Sequence, residues 1–238
     1  MSSDPLDLTL PDSPSLKIFN ASNRILGTTQ SGALEILNLS KYPNLREILL
    51  KNGEVKKIIL PAGGYLEKVV LSDAIEDITL KNQLLLKEED LEIINRNKNN
   101  ESSSYRNIKN ITIENCNNFN SRTFLKKCLS AEMPDDTAVT SKNIRVINID
   151  YVKDSSGKPV PIGTNEQGKN IYSDWVFETK EEFTEFAELF INNNLKLVGT
   201  NEAGGTTEKP FLQGTCYILD SVEGSVVELL LNKISGDL

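Results

Sequence analysis

The chain has 238 residues, with 34 acidic and 26 basic side chains and a formal net charge of -8. That length buries a real core in one large domain or two smaller ones, and the acidic balance argues against phosphate backbones and anionic membranes as partners. Histidine is absent, which excludes serine and cysteine triads, His-ligated zinc and imidazole acid–base chemistry together.

Three cysteines, Cys116, Cys128 and Cys216, are too few for a four-thiolate metal site or a dense disulfide framework and read as small buried hydrophobes. No stretch approaches the ~18 apolar residues of a bilayer span, so no membrane insertion is expected. The start, Met1-Ser2-Ser3-Asp4-Pro5, has neither the basic nor the apolar region of a signal peptide. Asparagine occurs 25 times and lysine outnumbers arginine 20 to 6, a bias of coding composition more than of chemistry.

Residues 1–32 read as an N-terminal arm or cap, with short alternating runs at Leu6–Leu10 and Leu16–Phe19. From residue 34 a unit of the form Φ-x-x-Φ-x-Φ recurs, where Φ is a branched aliphatic: Leu34/Leu37/Leu39, Leu45/Ile48/Leu50, Val55/Ile58/Leu60, Leu66/Val69/Leu71 and Ile75/Ile78/Leu80. It returns at Ile108/Ile111/Ile113 and, more loosely, at Ile144/Ile147/Ile149. The first five starts are spaced by 11, 10, 11 and 9 residues, so alternate units are 21, 21 and 20 apart. A coil carrying two short strands produces that double period, and no coil buries its apolar face without stacked neighbours. The last two Φ positions of a unit lie two residues apart, so both point inward and the residue between them points out. Asn52, Asn82 and Asn115 each follow a strand by two residues, where an amide bonds the backbone of a corner.

These residues resemble the leucine-rich repeat, specifically the BspA-like (Treponema-type) subclass. Leu45-x-x-Ile48-x-Leu50 through Val55-x-x-Ile58-x-Leu60-Pro61 to Leu66-x-x-Val69 is similar to that subclass's L-x-x-I-x-L-P-x-x-L-x-x-I core. The likeness covers residues 34–82 and returns near 108–129 and 144–149. The subclass's Ala-Phe-x-x-Cys stretch is missing from the early coils, its nearest approach being Phe119 to Cys128. The resemblance implies a right-handed β-solenoid over residues 33–150 and no particular activity.

Residues 87–107 and 130–143 interrupt the pattern and read as projecting loops. After Tyr151 the character changes to a small α/β unit, residues 151–238. Lys153–Lys158 reads as a turn between strands, and Thr179-Lys-Glu-Glu182 as a capping box opening a helix with Phe183, Phe186, Ala187, Phe190 and Ile191 on one face. Further strands are expected at Leu195–Val198 and Gln213–Ile218, and a second helix from Val222 to Ile234. The two strand–helix copies are offset by 42 residues, and the strand that would follow the second is missing, which reads as a truncated end.

The acidic groups Glu88-Glu89-Asp90 and Asp135-Asp136 lack the alternating spacing of a cation loop, and the Gly199–Thr207 loop lacks a phosphate cradle. No metal or cofactor is expected, and no enzyme activity. A carboxylate-pair hydrolase is the reading from a different class, since such pairs form in space and not in sequence. The outward positions of the repeat are more informative. Leu49 and Val70 stack as an apolar stripe on one face, with Ile59 on the other and Glu47, Lys57 and Lys68 as a polar rim. Cover by the arm or a long loop is the competing reading of that stripe. The expected role is a non-enzymatic protein-interaction or assembly module with protein partners, itself or other structural subunits. Its expected setting is a phage tail or virion: the asparagine, lysine and isoleucine bias, the missing signal peptide and the truncated end suit it, and the C-terminal strand–helix units look similar to repeats of large tail proteins. A secreted or cell-surface BspA-like adhesin is the alternative.

Overall fold

The computed structural model describes residues 13–22, 35–51, 53–95, 105–116, 118–130, 143–192, 212–220 and 225–230. The chain is α/β with mostly parallel sheets, and it divides into two compact units. Among the described residues the first unit ends at Phe119, and the second holds Asn120–Ser130 and the chain from Asn143 on.

The first unit contains β1 (Ile18–Asn20), β2 (Ile36–Asn38), β3 (Glu47–Leu50), β4 (Lys57–Ile59), β5 (Lys68–Ser72), β6 (Asp77–Lys81), β7 (Leu91–Ile94) and β8 (Asn110–Glu114). Odd strands pair in parallel in the order β1-β3-β5-β7, with Phe19, Ile48, Val69 and Leu91 in register. Even strands pair in parallel as β2-β4-β6-β8: Ile36 faces Lys57, Lys57 faces Asp77, and Asp77 faces Asn110. Successive units of the sequence therefore alternate between two parallel sheets, as the double period requires.

The repeated aliphatics form the core. Leu45, Ile48, Leu50, Ile58, Leu66, Val69, Ile78 and Leu80 are each 2 % exposed or less. One backbone device recurs at the start of five strands: the N–H groups of two consecutive residues share the carbonyl of the residue just before the neighbouring strand. Arg46 and Glu47 donate to Lys17, Lys56 and Lys57 to Glu35, Glu67 and Lys68 to Arg46, Glu76 and Asp77 to Lys56, and Lys109 and Asn110 to Glu76. Two main-chain donors at each of these strand starts are thereby satisfied by the neighbouring strand's lead-in residue.

The 87–107 segment, expected to be a loop, contains a 3-10 turn at Glu88–Asp90 and then β7, which extends the odd sheet. Glu88, Leu91 and Ile93 occupy the three Φ positions of this unit, and Glu88 is itself buried. A glutamate at the first apolar position hid the repeat.

The second unit contains α1 (Ser121–Ser130), β9 (Asn143–Ile149), β10 (Gly163–Thr164), β11 (Asn170–Ile171), β12 (Val176–Phe177), α2 (Lys180–Asn192), β13 (Leu212–Ile218) and β14 (Ser225–Leu230). β13 is central: β9 and β12 run parallel along successive stretches of one edge and β14 runs antiparallel along the other. The Phe119–Cys128 stretch, compared above with a repeat, is mostly the helix α1. Its Phe124, Leu125, Cys128 and Leu129 are buried on one face. Asp174 caps it by accepting the N–H of Arg122 at 2.6 Å, and Trp175 Nε1 donates to Ser121 Oγ at 2.9 Å. The Arg122 guanidinium lies 4.3 Å from the Phe177 ring centroid. The predicted cap of α2 is present: Thr179 Oγ1 accepts the N–H of Glu182 at 3.1 Å.

The segment Val222–Ile234, expected to be helical, instead supplies the strand β14, with six register pairs from Gln213↔Leu230 to Ile218↔Ser225. Val226 and Val227 favour extended backbone, and the open edge of β13 offers a full ladder; pairing overrides the helical period. The second strand–helix copy is therefore not formed. In β9 the buried residues are Ile144, Val146 and Ile149, not Ile147, because Asn148 takes a left-handed φ of 58° and shifts the alternation by one. The expected strand at Leu195–Val198, the 199–207 loop, Asp135-Asp136, Asn52 and the Leu6–Leu10 run lie outside the described residues.

Candidate interaction surface

Outward positions line up from strand to strand because the parallel strands are in register. On the odd sheet one outward row is Ile18, Glu47, Lys68, and the next is Asn20, Leu49, Val70, Glu92. Glu47 is half-buried opposite the exposed Lys68. Leu49 is half-buried, but Val70 is only 1 % exposed. The expected open stripe across Leu49 and Val70 is therefore closed at Val70, where other parts of the chain cover it. Periodicity shows that Val70 points away from the core of the sheet; it carries no information about what lies over it.

On the even sheet the rows are Ile36, Lys57, Asp77, Asn110 and Asn38, Ile59, then Thr79 and Thr112. Ile59 is 37 % exposed and Ile36 53 % exposed. Lys57 Nζ lies 3.8 Å from Asp77 Oδ2, and Asn110 Nδ2 donates to Asp77 Oδ1. One position before these rows stands a ladder of alternating charge, Glu35, Lys56, Glu76, Lys109. Lys56 and Glu35 are 2.7 Å apart, and Lys109 and Glu76 are 2.9 Å apart. The hydrogen bond from Lys56 lowers the Glu35 pKa, and the Lys56 pKa rises reciprocally. Arg46 and Glu67 repeat the device beside the odd sheet at 2.5 Å. Exposed pairs of this kind add little stability each; their consequence is that only one register matches every sign.

Sequence reasoning missed Ile18 and Ile36, both exposed and outward on the first strand of each sheet. Their signal was available, since each stands one residue before an inward Φ.

In the second unit, Asn148–Asp150, Lys153 and Gln213–Thr215 border an open cleft of about 470 Å³. Asp150 Oδ1 accepts the N–H of Tyr151 and the hydroxyl of Thr215, each at 2.9 Å, and Lys153 Nζ lies 3.0 Å away. Partial burial works to raise the Asp150 pKa, but these donors prevail and hold it below the usual carboxylate range. Its acceptors are engaged by the chain itself, which makes Asp150 a brace between β9 and β13. Cys216 lies buried on β13, and burial pushes its thiol up to about 12, so it is not poised as a nucleophile. Among the described residues no three His, Cys, Asp or Glu side chains converge on a possible metal position, and no helix is long and apolar enough to cross a membrane. Comparison with known protein families, with curated proteins and with solved structures returned no match to this chain.

Proposed function

We propose that the chain is a non-enzymatic protein-interaction or assembly module whose first unit is a β-solenoid of leucine-rich-repeat type. One observation carries the reading: the corner in which two N–H groups share a carbonyl one coil earlier recurs five times, across both sheets. Such repetition makes a stack that contacts only its neighbours and lays out long, regular outer rows, the surface that repeat proteins use for binding. The exposed isoleucines Ile18, Ile36 and Ile59 within polar rows add apolar contact points with a charged rim, the composition of a protein-binding face. The virion setting drew in part on two strand–helix copies, of which β14 removes one; the asparagine, lysine and isoleucine bias still suits a phage tail or virion, with a cell-surface adhesin as the alternative.

The test is the mass of the full chain by light scattering over a wide range of concentration. Growth of the mass with concentration supports an assembly module. A monomer at every concentration removes the self-assembly reading.

A further inference from the structure

We draw no further inference here: the strongest candidate, the open cleft of the second unit bordered by Asn148–Asp150, Lys153 and Gln213–Thr215, has its charged groups spent on one another, with Lys153 and Thr215 both donating to Asp150, and nothing in the structure shows what fills it.

Discussion

Asn115 donates from Nδ2 to Oδ1 of Asn82 across 3.0 Å, and both residues stand in left-handed backbone, with φ of 54° and 53°. Each ends an even-sheet strand and turns the chain into the next corner, so residue type, backbone strain and stacking register meet at one pair. Asparagine tolerates this conformation because its short amide compensates locally; other side chains with a Cβ pay about 1–2 kcal/mol there. Asn82→Ala and Asn115→Ala are each expected to lower stability by about 1–2 kcal/mol. The double variant should lose less than the sum, because the shared amide bond is removed only once. Urea unfolding of the four proteins measures this, and strict additivity would show that the ladder contributes nothing.

The outward positions divide into covered and open. Val70 is 1 % exposed and Ile59 37 % exposed, although both occupy the position between the last two Φ residues. Val70→Asp places a charge under cover and is expected to cost roughly 2–7 kcal/mol, a large share of the stability of an ordinary domain. Ile59→Asp is expected to change stability by no more than about 0.5 kcal/mol. Thermal unfolding of the two variants separates them, and similar midpoints would refute the assignment of cover.

What was legible in the sequence is what burial alone dictates. The double period near 21 residues predicted two stacked parallel sets of strands, because inward aliphatics have no other way to leave water. Leu45, Ile48 and Leu50 are inside as read. The misreadings occur where a second force intervenes. Glu88 stands at an apolar position of the β7 unit and broke the pattern. The i, i+4 spacing of Phe124 with Cys128 and of Leu125 with Leu129 marked α1, but it was compared with a repeat. In β14 the choice between helix and strand rests with the open edge of β13, which is distant in sequence. The surface was less legible than the core. Stacking told which residues share a row, but the burial of Val70 leaves no trace in the period. Of two like turns, Asp154–Lys158 and Asn165–Lys169, each closed by N–H groups on the first residue's Oδ1, the sequence reading took only the first, although the same five-residue pattern recurs after eleven positions.

Two aspartates of the second unit are expected to titrate in opposite directions. Burial raises the pKa of Asp174 against the pull of the Arg122 N–H and guanidinium, whereas donors from Lys153, Thr215 and Tyr151 lower that of Asp150 in spite of partial burial. An unfolded aspartate titrates near ~3.9. The Asp150 contribution to stability is therefore present above that value and is lost as pH falls through its depressed folded value. For Asp174 the sign reverses: its contribution is fully present below the unfolded value and is lost as pH rises through its raised folded one. Carboxyl chemical shifts followed by NMR should show Asp174 taking up its proton first on acidification and Asp150 last. The opposite order would mean that the hydrogen bonds at Asp150 do not persist in solution.

Gly214 and Gly157 separate two costs that are usually entangled. Both have positive φ, 146° and 82°. At Gly157 an added Cβ meets nothing within 4 Å, so Gly157→Ala carries backbone strain alone, about 1–2 kcal/mol. At Gly214 an added Cβ runs into the backbone oxygen and nitrogen of Ile149 on the neighbouring strand, beside the register shift between β9 and β13. Gly214→Ala must therefore also push β9 away, and overpacking adds about 1–3 kcal/mol to the strain. The excess should appear as faster hydrogen exchange along both β9 and β13, whereas Gly157→Ala should leave those strands protected and loosen only the Asp154–Lys158 turn, where Asp154 Oδ1 accepts the N–H groups of Ser156 and Lys158. Equal losses in the two variants, with β9 still protected, would show that the close approach of Gly214 to Ile149 is not kept in solution.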